Sequence, residues 1–118
     1  MRDFSQSHEW MSLNTATVRK QFGQERPLVE ILDDCARLNV RCVAPWRDQI
    51  HATGLKETSK IVRAHGLALS GVARGGMFTA ADDAGLELAA EDNRRAVDEA
   101  CELRAACLVL VEIGRAHV

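Results

Sequence analysis

Three times along this chain a segment of helical periodicity ends in a small polar turn, and an apolar, β-branched run follows at once. The joins read ARLNVRCVAPW, RAHGLALSGVARGG and ELRAACLVLVEIG. The runs VRCVA, LALSGVA and CLVLVEI are near-continuously apolar rather than alternating, which is the pattern of parallel strands covered on both faces. Parallel neighbours cannot be joined by a tight turn. They need a right-handed crossover, and the helical segments supply it. Leu28, Ile31, Leu32, Cys35 and Leu38 follow one helical stripe with Asp33, Asp34 and Arg37 opposite, and Pro27 suits the first turn. A second helix is predicted over Leu55–His65, burying Leu55, Ile61 and Val62 and closed by Gly66. A third is predicted from about Glu91 to Arg104, with Val97, Ala100, Cys101 and Leu103 inward. An earlier strand falls near Met11–Asn14, so the order is β-α-β-α-β-α-β.

Two architectures accommodate a parallel (βα)3β unit: an open doubly wound sheet, or the N-terminal half of a (β/α)8 barrel. The dinucleotide-binding form of the first needs a glycine-rich turn after its first strand. Here that position reads Asn14-Thr-Ala-Thr17, with no glycine before Gly23. A complete barrel takes ~250 residues, and this sequence has 118, which is the length of half a barrel.

In either architecture the working face lies at the C-terminal ends of the strands. The stretch Val43-Ala-Pro-Trp-Arg-Asp-Gln-Ile50 therefore stands out, because an apolar run stops at a proline and delivers an indole and two opposite charges together. Asn14 and Thr15 follow strand one, Trp46, Arg47 and Asp48 strand two, Arg74, Gly75 and Gly76 strand three, and Glu112 strand four. Arginine presents a rigid fork of donors to carboxylate or phosphate. Glycines let backbone N–H groups approach an anion, and indole stacks on the apolar face of a sugar. Each residue also has a plainer role. Arg47 and Asp48 can pair with neighbours or cap the next helix, Trp46 can plug the end of a barrel, and Gly75-Gly76 can serve a turn that needs φ > 0. His51 reads as a surface histidine. Asn93 lies on the apolar stripe of the third helix. It reads as satisfying its own helix end or a loop carbonyl, with propping of the Arg74 loop as the functional alternative. The connection from Arg74 to Ala90 is long for its class and is a candidate lid.

Composition limits the partners. Fifteen Lys and Arg against seventeen Asp and Glu leave a formal net charge of −2, with no basic tract for nucleic acid or a membrane surface. No apolar stretch approaches the ~18 residues of a membrane span, and MRDFSQSHEW lacks a secretory core. Cys35, Cys42, Cys101 and Cys107 form no C-x-x-C pair. They read as reduced thiols of a cytoplasmic protein.

With Ser12-Leu-Asn-Thr-Ala-Thr-Val18, Pro45-Trp-Arg-Asp48, Arg74-Gly-Gly-Met-Phe78 and Asp92-Asn-Arg-Arg-Ala-Val-Asp-Glu-Ala100 in view, the chain resembles the N-terminal half of a sugar phosphate isomerase/epimerase of the xylose isomerase-like TIM-barrel superfamily. The likeness runs from about Trp10 to Ile113, and it makes residues 1–118 one partial barrel. It implies interconversion of an aldose and a ketose, or of two epimers, through an enediolate. A divalent metal of the Mn, Mg or Zn class would polarise the substrate oxygens. It also implies that metal ligands and catalytic carboxylates come from strands five to eight, so none is carried onto this sequence. No metal site and no turnover are expected of the 118 residues alone. What the likeness carries over is a substrate rim of Trp46, Arg47 and Arg74 for a sugar or sugar phosphate. It also leaves an open barrel edge suited to self-association. The ending, Glu112-Ile-Gly-Arg-Ala-His-Val118, lacks the glycine-rich turn of the family after strand four, which puts the native origin of Gly114–Val118 in question. Two rivals remain: a non-catalytic half-barrel homodimer or binding module, and an endonuclease IV-like enzyme, which the net charge disfavours.

Overall fold

The computed structural model describes residues 3, 5–76 and 82–111. Strand β1 (Leu13–Asn14) runs into a short 3-10 turn at Thr15–Val18, and an antiparallel pair follows, β2 (Lys20–Gln21) with β3 (Gln24–Glu25). Helix α1 (Leu28–Arg37) leads to β4 (Cys42–Ala44). Helices α2 (Arg47–Thr53) and α3 (Leu55–His65) come next, then β5 (Ala68–Leu69) and β6 (Val72–Gly76). Helix α4 (Asp83–Glu102) and β7 (Leu108–Val111) complete the order. This is a mixed α/β fold with parallel strands and four helices among the described residues.

The main strands pair in chain order. β1 pairs with β4 through Leu13–Val43 and Asn14–Ala44, and β4 with β5 through Val43–Leu69, all parallel. Just past β4, Trp46 pairs in parallel with Ala73 of β6, and the Ala73 N–H donates to Pro45 O at 3.1 Å. β6 then pairs in parallel with β7. β5 and β6 are thus two parts of one predicted strand, interrupted at Ser70-Gly71, where a Cβ on Gly71 would lie 3.1 Å from Cys107 Sγ. The β6–β7 register slips by one residue. Ala73 faces Val109 and Gly75 faces Leu110, so Arg74 is an extra residue in β6 with no partner across the pair.

Helices pack on the sheet by the stripe expected for α1. Leu28, Ile31, Leu32 and Cys35 are buried with Val43, Val62, Leu69, Val72, Ala100 and Leu103 in one cluster. Leu38, placed on that stripe by spacing, is exposed because it is the residue at which α1 ends. α3 matches its predicted limits and closes on Gly66 at φ 64. Its inward face is Thr58, Ser59 and Val62, with Thr58 Oγ1 donating to Gly54 O, so the hydroxyl is satisfied within its own helix.

Four expectations are corrected. α4 begins at Asp83, not near Glu91, because Asp82 accepts from the Gly85 N–H and caps the helix eight residues early. The long lid expected from Arg74 to Ala90 is therefore the end of β6 on one side and the first turns of α4 on the other, and residues 77–81 between them lie outside the described residues. The inward stripe of α4 is Ala96, Ala100 and Leu103, while Val97 and Cys101 face outward. Finally, the apolar run of β7 is not covered on both faces, since Val109 and Leu110 are exposed. Among the described residues no helix is long and apolar enough to cross a membrane.

Candidate functional site

A cleft of about 390 Å³ opens where β4 and β6 end, lined by Arg19, Trp46, Arg47, Asp48, His51, Ala73 and Arg74. The three residues expected on the substrate rim all reach it, but they do different work.

Trp46 stands between β4 and α2 in extended conformation, so its ring leaves the strand end sideways. Asn14 fixes it: one carboxamide oxygen accepts from Trp46 Nε1 at 2.8 Å and from the Ala16 N–H at 3.0 Å. The residue expected after strand one therefore serves the indole and caps the 3-10 turn. Thr15 points inward, fully buried, and donates to Gln49 Oε1, which also accepts from the Trp46 N–H at 3.4 Å.

Arg47 does not contact solvent as a free rim cation. It opens α2 and is 7% exposed. Nε donates to Glu99 Oε2 at 2.7 Å, and Nη2 to Glu99 Oε1 at 3.3 Å and Asp92 Oδ1 at 3.1 Å. Nη1 donates to Asp92 Oδ2 at 3.0 Å and to Arg74 O at 3.3 Å. A guanidinium has five N–H donors, and all five are committed. Arg47, which lines the cleft, is thus a splint between α2 and α4, the plainer of the two roles its sequence position offered. Asp92 and Glu99 are seven residues apart, two turns on one helix face, which is why one fork grips both. The hydrogen bonds and charges of both carboxylates hold the Arg47 guanidinium's pKa well above its ordinary value. Asp92 is held below the usual carboxylate range, chiefly by Arg47. For Glu99, burial acts upward, but hydrogen bonds from Arg47 and then His51 outweigh it and the carboxyl is lowered.

Arg74 is the group left free. It is half-buried at the bulge of β6, and its guanidinium has no carboxylate or hydrogen-bond acceptor among the described residues. Its Cζ stands 6.0 Å from the centre of the Trp46 ring, a cation–π distance. Bulges re-aim side chains at functional sites, and this one turns a cation over an indole.

The glycines after Arg74 serve packing instead of an anion. Gly76 has φ 101, and a Cβ there would lie 2.4 Å from Val111 O. Its N–H is spent on Asn93 Oδ1 at 2.5 Å. Asn93 Nδ2 donates to Gly76 O and to Ala89 O, both at 2.8 Å. Asn93 therefore satisfies its own helix and also grips the Arg74 segment, from the third turn of α4 instead of the first.

Two wall residues escaped the sequence reading. Arg19 is tied to Glu25 at 2.8 Å and to Asp48, a link made by the β2–β3 pair that no periodicity announces. His51 was read as a surface residue and is half-exposed, yet its Nε2 lies 2.6 Å from Glu99 Oε1 at the edge of the cleft. Glu112 lies outside the described residues. Among the described residues no group of three or more His, Cys, Asp or Glu could hold a metal ion, so the metal implied by the resemblance finds no donor set there.

No family model matches this sequence, and no curated protein matches it. A solved structure does: protein SMc04130 from Sinorhizobium meliloti 1021 is 51% identical, with a TM-score of 0.85 over 92% of this chain. The match occupies 38% of that longer chain.

Proposed function

We propose that these residues form the N-terminal half of a (β/α)8 barrel of the sugar phosphate isomerase/epimerase type, and that they carry the substrate-binding side of its site. The observation that carries the reading is Arg74: a half-buried cation without a carboxylate partner among the described residues, bulged out at a strand end and laid over an indole. A guanidinium left without a carboxylate in such a place suits an anionic ligand group, and the adjoining ring suits the apolar face of a sugar. The chain-order pairing of parallel strands supports the barrel, because an open doubly wound sheet reverses its strand order at the binding crevice. The longer solved chain with the same fold is compatible with further units beyond these.

In this reading Arg74 binds the phosphate or carboxylate of an acidic sugar, Trp46 orients the ring, and Arg47 keeps the floor rigid. Proton transfer belongs to residues outside this chain, as does any divalent cation that would polarise the substrate oxygens. The test is calorimetric titration of the purified chain with ribose 5-phosphate and with ribose. Binding of the phosphate ester, lost in Arg74→Ala and absent for ribose, is expected. Equal affinity in wild type and Arg74→Ala ends the proposal, and isomerisation by the chain alone ends its division of labour.

A second reading, a non-catalytic half-barrel that pairs with itself, is favoured by the exposed Val109 and Leu110 on β7 and Val97 on α4.

A further inference from the structure

The backbone that carries Arg74 is gripped at the bulge and just after it. At the bulge, Arg47 Nη1 donates to the Arg74 carbonyl at 3.3 Å. After it, Asn93 uses both ends of its carboxamide on a single residue, accepting from the Gly76 N–H and donating to the Gly76 carbonyl. The third contact of Asn93, to Ala89 O, anchors that carboxamide to α4 itself. An unpaired bulge residue lacks the ladder bonds that would otherwise fix its position. These two grips replace them.

We infer that Asn93 is the positioning residue for Arg74, holding the guanidinium over Trp46 by locking Gly76 to α4. The glycine before it belongs to the same device. A Cβ on Gly75 would stand 2.8 Å from Asn93 Oδ1, so only glycine leaves room for the carboxamide to reach Gly76. Arg47 cannot do this alone, since its Nη1 is shared with Asp92 and touches the bulge from one side. Among the described residues nothing else donates to Gly76 O or accepts from its N–H by a side chain. The inference deepens the anion-binding proposal and rests on it for the ligand, though not for the placement of Arg74.

Placement is read first, by NMR on the intact chain. In the wild type the indole should shift the Arg74 side-chain resonances, with contacts between Arg74 and the Trp46 ring. Asn93→Leu keeps the bulk of the side chain and removes all three hydrogen bonds. It should abolish those shifts while Leu32 and Val43 in the core keep theirs. Gly75→Ala pushes on the same carboxamide from the strand side and should reproduce the effect. Persistence of the Arg74 shifts in a folded Asn93→Leu or Gly75→Ala chain overturns the inference.

Inorganic phosphate then serves as the ligand probe. A displacement of about 1 Å costs up to ~10²-fold in a positioned site, so Asn93→Leu should weaken phosphate binding at least ~10-fold at a temperature where both chains are folded. Phosphate binding lost in Arg74→Ala but unchanged in Asn93→Leu overturns the positioning role and spares the anion site. A wild-type chain that ignores phosphate overturns the anion site, and the Arg74 shifts alone then decide for or against Asn93.

Discussion

Replacing Arg47 by methionine keeps the aliphatic packing of a side chain that is 7% exposed and removes the fork that spans α2 and α4. Two carboxylates and one carbonyl lose their donors. Asp92 is 46% exposed at its side chain and stays near Arg95 at 3.7 Å, so water and that neighbour make good most of its loss. Glu99, 12% exposed, keeps only His51 among the described residues. Breaking a buried ion pair from one side costs about 3–5 kcal/mol. With the Asp92 share screened by solvent, the expectation at pH 7 is the lower end, about 3 kcal/mol. At ~4 °C per kcal/mol for a domain of this size, the midpoint should fall by about 12 °C.

The sign of the pH dependence makes the test specific. Asp92 and Glu99 have native pKa values below their ordinary ones. Their contribution is therefore complete above the unfolded-state values near ~4 and is lost as pH falls through the native ones. In Arg47→Met that contribution is missing at the outset, and Glu99, left largely to burial, favours its neutral form. The difference in stability between the two proteins should be widest at neutral pH and narrow as pH falls from about 5 to about 3. Urea unfolding followed by circular dichroism at pH 7 and pH 3.5 measures both. A loss under about 1 kcal/mol at pH 7, or an equal loss at both pH values, refutes the splint.

Gly76→Ala should cost more than the ~1 kcal/mol typical of a glycine in a left-handed position, because the added methyl meets Val111 O at 2.4 Å. A thermal melt within 2 °C of wild type (by the same ~4 °C per kcal/mol scale) would contradict that packing. In a thiol titration of the native chain, exposed Cys101 and Cys107 should react first. Cys35, buried and with its thiol pKa raised chiefly by desolvation, should react only on unfolding. If β7 is a sticky edge, Leu110→Lys should shift sedimentation toward the monomer. An unchanged sedimentation profile would remove β7 from the account of self-association.

How much of this was legible varied with the kind of interaction that decides each element. α1 and α3 were readable because a single apolar stripe, or a proline at one end and a glycine at the other, marks them. The parallel strands were readable from continuous apolar runs, but their spatial order was not. α2 was not, because Arg47–Thr53 is charged and polar on its outer face and buries only Arg47, Gln49 and Ile50. Its inward face is an ion-pair network whose partners lie 45 and 52 residues away. The start of α4 was missed because an Asp cap at position 82 outweighs a weakly amphipathic first half. At the site, Trp46 and Arg74 were found as strand-end residues, but nothing local distinguishes a free arginine from a committed one. That Arg47 is spent and Arg74 meets no carboxylate among the described residues depends on where α4 puts Asp92 and Glu99. Asn93 carried the one usable signal, a polar side chain on an apolar stripe. Its distance from Gly76 came only with the fold.

The pairing of Leu13 with Val43, Val43 with Leu69 and Ala73 with Val109 has a kinetic side. Among the described residues each parallel strand finds its neighbour across the intervening helical segment, and the β2–β3 pair closes locally. Parallel pairing across a helix is non-local and intrinsically slow, but a chain emerging from the ribosome N-terminus first can dock each unit as it appears. Closure of the Arg47 network comes late in that sequence, since Glu99 must be synthesised before the fork is filled. Until then Arg47 has neither of its carboxylates in place, so α2 gains this tie only when α4 docks.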